Sequence, residues 1–240
     1  MKRIIFACLS CFVFVGFGAA AANDAAGTTP AWVEGQQYFE LRPAQPTHVA
    51  AGSVEVVEIF SYACPACNLF YPTVEKLRTV LPAKVRLSYL PASWHKEEDW
   101  KMFQRAFFAA QSLGLVERTH TAMFDAIWKS GELATMDSTT NRLKVQLPTI
   151  VDAAKFFEHV AKIKPDDFLT AAHSFSVDAS MREADEQIKA YQVDETPSIV
   201  VNGKYRLTPR TAGGNDQFIA LVKYLVAKEI TLAKHGRAAP

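Results

Sequence analysis

Cys64 and Cys67, separated only by Pro65-Ala66, have the types and spacing for thiol–disulfide chemistry. A thiolate that attacks a disulfide must be reachable, and a second thiol must stand close enough to resolve the mixed disulfide that forms. Two intervening residues at the start of a helix meet both demands. Cys64 is placed to attack, because unpaired backbone N–H groups and the positive end of the helix dipole favour its anion and lower its pKa below the ordinary value of about 8.5. Cys67, one turn further in, is the more enclosed and the natural resolving thiol. The competing chemistry for such a pair is half of a zinc site, but zinc takes about four ligands. His95, His120, His159 and His173 are scattered and form no partner motif, so no metal is expected.

Cys8 and Cys11 repeat the spacing in a different setting. Lys2 and Arg3 form a basic end, Ile4 to Phe17 an apolar run, and Gly18 to Ala22 a small-residue region, the pattern of an export signal cleaved near Ala22. The apolar stretch is short against the ~20 residues of a bilayer crossing. Lipid attachment at Cys8 or Cys11 lacks a convincing small-residue pattern before them. Cleavage leaves Cys64 and Cys67 as the sole pair in a chain bound for an oxidising compartment, where structural disulfides are the norm. Cysteines separated by only two residues cannot staple distant parts of a fold, so this pair is there to be exchanged.

The 240 residues, 49% of them hydrophobic, suffice for one sizeable core or a core carrying a smaller inserted module. Lys and Arg (26) nearly cancel Asp and Glu (25), and loss of Lys2 and Arg3 leaves the mature chain about neutral. No overall field would steer the protein to phosphates, so nucleic acid is not an expected partner.

The elements that must hold the pair stand on either side of it. Val54-Glu55-Val56-Val57-Glu58-Ile59-Phe60 is a near-continuous β-branched and apolar run, the mark of a central strand covered on both faces. Pro65 sits where a first helical turn needs no backbone N–H, and Leu69, Phe70, Val74, Leu77 and Leu81 recur at helical spacing. Lys84 to Leu90 alternates Val85, Leu87 and Tyr89 with polar residues, a second strand ending at Pro91. Three helical faces follow: Trp100, Phe103, Phe107, Ala110 and Leu113; Met123, Phe124, Ile127 and Trp128; Phe156, Phe157 and Val160. Packing of a helical module accounts for these aromatics without a cofactor. A further helix from about Phe175 carries Met181, Ala184, Ile188 and Tyr191. Pro197 to Val201 is strand-like, and Asn202-Gly203 turns Lys204 to Leu207 back antiparallel to it. A last helix holds Phe218, Ile219, Leu221, Val222 and Leu225. No repeat or long linker interrupts this order, so the helical middle reads as an insertion within one α/β domain.

Glu58 interrupts the apolar run six positions before Cys64 and would lie under the active-site helix if that strand is central. A buried acid there could move a proton to or from the resolving thiol; a partly solvated strand position is the alternative. Lys84 and Arg86 are both candidates for its basic partner.

Glu58-Ile59-Phe60-Ser61-Tyr62-Ala63-Cys64-Pro65-Ala66-Cys67 and Glu195-Thr196-Pro197-Ser198-Ile199-Val200-Val201-Asn202-Gly203-Lys204-Tyr205-Arg206 resemble the DsbA family of thiol:disulfide interchange proteins, within the thioredoxin-like superfamily. The resemblance covers essentially the whole mature chain. It implies an α/β, thioredoxin-like fold with an inserted helical domain: signal peptide 1–22, thioredoxin-like domain 23–96 and 172–235, helical domain 97–171. It also implies a cis bond before Pro197, with the Thr196 backbone free to pair with an extended substrate peptide, and an acid placed like Glu58.

The activity it implies is a dithiol oxidase in the periplasm that passes its disulfide to folding exported proteins with free cysteines. The resemblance assigns reoxidation to a DsbB-like membrane quinone reductase and implies a monomer without a cofactor. Two positions depart from the common pattern. Ala66 stands where relatives often carry histidine and supplies neither charge nor donor, so a less depressed Cys64 pKa is expected. Thr196 stands where many carry valine, which hints at altered substrate affinity or release. The same exchange run as a reductase or isomerase, and a non-catalytic binding module, are the competing readings. By comparison with the wider family, Ala63 before the pair argues against a membrane-tethered reductase, which tends to carry tryptophan there, the short segment 23 to 50 against an isomerase with its dimerisation domain, and the intact Cys64/Cys67 against the binding module.

Overall fold

The computed structural model describes residues 32–235; the expected signal segment, with Cys8 and Cys11, lies outside the described residues. A two-residue strand, β1 (Phe39–Glu40), precedes β2 (Val54–Phe60), all seven residues of which are buried. Helix α1 (Pro65–Val80) starts directly after the tight turn at Cys64 and stops before Pro82, and β3 (Val85–Pro91) follows. The helical middle comprises α2 (Trp100–Ser112), α3 (Val116–Trp128), a small hairpin β4 (Met136–Asp137) and β5 (Arg142–Leu143), α4 (Ile150–Ala161) and α5 (Pro165–Ala172). The chain returns through α6 (Phe175–Ala190), β6 (Ser198–Val201), β7 (Tyr205–Leu207), the short α7 (Pro209–Ala212) and the long α8 (Asn215–His235).

The main sheet has the order β1-β7-β6-β2-β3, with β2 and β3 parallel and the other neighbours antiparallel. β2 lies inside the sheet between β6 and β3 and is covered on both faces, as its near-continuous apolar character suggests, and it buries Glu55 and Glu58 with the rest. Its alternation still sorts side chains: Val54, Val56, Glu58 and Phe60 share one face, Glu55, Val57 and Ile59 the other. Phe70 of α1 meets Phe218 of α8 edge-on, with ring centroids 4.9 Å apart. Leu69 does not join that face. It is 78% exposed, because one residue along a helix is a rotation of about 100° away from Phe70, Val74 and Leu77. The aromatics of the middle are core, as expected: Phe103, Phe107, Phe124, Phe156, Phe157 and Phe168 are all buried.

Asn202 and Gly203 both take positive φ, 53° and 63°, the two left-handed residues of a tight hairpin turn. Gly203 is also pressed against the segment before β2, since an added Cβ would lie 2.1 Å from the Gln45 carbonyl oxygen. Gly203→Ala must therefore displace backbone as well as strain its own, and thermal unfolding is expected to show a loss of about 2 kcal/mol or more.

Candidate active site

The turn from β2 into α1 is built from its own residues. Cys64 N–H donates to the Ser61 carbonyl at 3.2 Å, and Cys64, in extended conformation, caps α1. Its Sγ accepts the Cys67 backbone N–H at 3.3 Å, filling the place a serine or aspartate oxygen usually takes at a helix N-cap. Across from it the Thr196–Pro197 bond is cis, and the Cys64 thiol donates to the Thr196 carbonyl oxygen at 3.7 Å. Both cysteines are free thiols.

Cys64 is more enclosed than an attacking thiol was expected to be, at 5% exposure against 0% for Cys67, while Pro65 and Ala66 are exposed. The Thr196-Pro197 loop lies against it and takes the solvent's place. Electrostatics nevertheless separates the two thiols as their order along the helix requires. Cys64 is lowered to about 6, first by the hydrogen bond from the Cys67 side chain, with burial opposing, and then by Thr196 and the Cys67 and Ala66 backbone N–H groups. Cys67 is pushed up by burial and by the hydrogen bond and charge of Cys64. The arrangement favours loss of the proton from Cys64, which then gives up its bond to Thr196, while Cys67 stays a thiol, and helix-end N–H groups supply what the Ala66 side chain does not.

Glu58 is 2% exposed, so the partly solvated alternative is excluded. Burial first, then Glu75 and Cys64 against the opposing Arg78, push its carboxyl up to about 8. Neither Lys84 nor Arg86 is its partner. In the parallel β2–β3 pairing Arg86 stands beside Glu55 and Tyr89 beside Glu58, so the pleat points Arg86, and with it Lys84, to the opposite face. The positive charge comes instead from α1: Arg78 donates to Tyr89 Oη and pairs with Glu75 and Glu117. The sequence signal for Arg78 was available only once α1 was known to lie over the Glu58 face of the sheet.

Three further residues escaped sequence reasoning. Arg210 of α7 grips the Glu195 carboxylate at 2.7 and 2.9 Å, immediately before Thr196. Tyr89 stacks on His120, with centroids 4.1 Å apart. His120 is a buried side chain kept neutral, lowered to about 3 by burial and then by Arg78. A cleft beside the pair is lined by Ala66, Leu69, Phe70, Thr196, Pro197 and Pro209, which gives exposed Leu69 a place in the site rather than in the core. Among the described residues no cluster of three or more His, Cys, Asp or Glu side chains could hold a metal ion.

Comparison with known proteins agrees with this geometry. Residues 49–220 match the family described as "Thioredoxin". A thiol:disulfide interchange protein DsbA of Azotobacter vinelandii is 34% identical over 214 residues, 88% of this chain and 91% of the relative. The crystal structure of Pseudomonas aeruginosa DsbA superposes with a TM-score of 0.72 at 33% identity, over 85% of this chain and 97% of that one. The oxidoreductase DsbA from Xylella fastidiosa gives the same TM-score at 30% identity, over 87% and 99%. Matched along most of its length by sequence and by fold, the chain belongs to the DsbA family of thiol:disulfide interchange proteins, with a thioredoxin-like fold.

Proposed function

We propose that the chain is a dithiol oxidase of exported proteins, acting in the periplasm as a monomer after removal of residues 1–22. The observation that carries this reading is the Cys64 sulfur at the cap of α1, held by the Cys67 N–H and facing the Thr196 carbonyl. A cap that stabilises the thiolate stabilises the reduced protein, and a protein whose reduced form is stabilised gives its disulfide away.

In the oxidised form a substrate thiolate attacks Cys64 Sγ. The Cys64–Cys67 bond breaks, its electron pair goes to Cys67, and Cys67 takes up a proton for which Glu58 is the nearby acid. A second substrate thiolate then attacks the substrate-side sulfur of the mixed disulfide. The substrate leaves with a disulfide and Cys64 leaves as thiolate, carrying with Cys67 the two electrons removed. The Thr196 backbone, beside the apolar cleft, is where an extended substrate would pair. The reduced pair is returned to the disulfide by a DsbB-like membrane quinone reductase, on the strength of the family resemblance. The helical segment 97–171 is the inserted module and the flanking segments carry the exchange site.

Redox equilibration with glutathione tests the direction of exchange. The expected potential of the Cys64/Cys67 couple is more oxidising than about −200 mV, and a value near the thioredoxin figure of about −270 mV overturns the oxidase reading in favour of a reductase.

A further inference from the structure

Tyr62 lies buried in the turn between β2 and Cys64, and α3 of the helical middle holds it at both ends. At the backbone end, Trp128 Nε1–H donates to the Tyr62 carbonyl oxygen at 2.8 Å. At the side-chain end, Tyr62 Oη and His120 Nδ1 are 2.8 Å apart, the phenol donating when the imidazole carries its proton on Nε2. Between the two bonds the ring is fixed edge-on against Phe60 and Phe124, with centroids at 5.0 and 5.1 Å. The turn itself hangs from the same place: Ala63 N–H donates to Ser61 Oγ at 3.3 Å and Cys64 N–H to the Ser61 carbonyl at 3.2 Å.

Elsewhere the helical middle is packed largely by apolar aromatics, whose contacts are non-directional. Toward Tyr62, however, α3 directs a buried histidine and a half-buried tryptophan N–H, groups that fix one arrangement because a buried polar group without its partner is costly. The residue they fix is two positions before the attacking sulfur.

We propose that Tyr62 is a positioning residue for thiol–disulfide exchange: the grip of His120 and Trp128 on it holds the Ser61–Cys64 turn in the geometry in which Cys64 caps α1. The grip matters most in the reduced protein. There the Cys64 sulfur keeps its place through hydrogen bonds alone, whereas in the oxidised protein its covalent bond to Cys67 holds it. Loosening the turn therefore costs the reduced form more than the oxidised form. The proposal rests on the exchange reading of Cys64.

The test is the glutathione equilibrium of the full mature protein and its variants, with melting temperatures recorded for both redox forms. Tyr62→Phe keeps the ring and removes one bond; Trp128→Phe removes the other. Each is expected to shift the equilibrium about three- to tenfold toward the protein disulfide, the size of one lost hydrogen bond, and to lower the melting temperature of the reduced form more than that of the oxidised form. Equilibrium constants equal to that of the native protein in both variants overturn the proposal, whether or not the two melting temperatures fall together. A native protein that does not exchange with glutathione at all overturns the underlying reading instead, and the proposal with it.

Discussion

Cys67→Ser is expected to convert the protein into a trap. Its Cys64 attacks a disulfide, and with no resolving thiol the mixed disulfide accumulates and is visible on a non-reducing gel. Cys64→Ser forms no such adduct, and its exchange rate falls by about three orders of magnitude or more, the scale of losing a reaction's nucleophile. The asymmetry follows from the site. Cys67 has no solvent exposure and its thiol is pushed up chiefly by burial, which persists when Cys64 is replaced, so it cannot substitute as nucleophile. Alkylation of Cys64 in the Cys67→Ser protein carries the second half of the expectation. Serine at 67 keeps the backbone N–H that caps the sulfur and a hydroxyl that can donate to it, so the rate is expected to rise with pH to a midpoint below the ordinary thiol value of about 8.5. Equal trapping by the two single variants, or a midpoint at the ordinary value, would contradict the assignment of attacking and resolving roles.

How much of this site stood in the sequence depended on the range of the interaction concerned. Strand β2, the helix that follows it and the Asn202-Gly203 turn are local, set by a seven-residue, near-continuous apolar run, a first-turn proline and two residues that tolerate positive φ. They could be read where they stand. The partner of Glu58 could not, because it depends on which strand lies beside β2 and in what register. With Arg86 opposite Glu55, the pleat alone excludes it, and Arg78 reaches the Glu58 side of the sheet from a helix. His120 looked like one of several scattered histidines for the same reason. Its partner Tyr62 is 58 residues away, and no local pattern joins them. Strands β1, β4 and β5 have two residues each, too short for alternation to register as a signal, and β1 exists through its pairing with β7 at the far end of the chain. Leu69 failed differently: helical spacing identified the helix correctly, but membership of the buried face turned on a single step of rotation.

Glu58→Gln is expected to stabilise the oxidised protein in a pH-dependent way. The native carboxyl titrates near 8 in the folded chain against an ordinary value of 4.5, its proton held chiefly by burial and then by the neighbouring Glu75. Between those two pH values the folded state keeps a proton that the unfolded state has released, so the stability of the native protein falls as pH rises through the window. Below about pH 4.5 both states are protonated and the penalty is absent; above about pH 8 it is complete. Glutamine cannot ionise. The advantage of the variant in chemical denaturation is thus expected to grow from near zero in acid to on the order of 5 kcal/mol at about pH 9. The oxidised form is the one to use, because in the reduced form Cys64 contributes with the opposite sign. Its lowered pKa makes the dithiol protein more stable as pH rises from about 6 toward the ordinary thiol value of about 8.5. Stability curves for native protein and Glu58→Gln that run parallel across this range would show that Glu58 is not held protonated. If they diverge, an ionisable carboxyl sits beneath α1 at a cost to stability that glutamine would remove, as expected where protonation serves the chemistry of the site. The same variant would then be slower in the step that leaves Cys67 needing a proton, since glutamine has none to give.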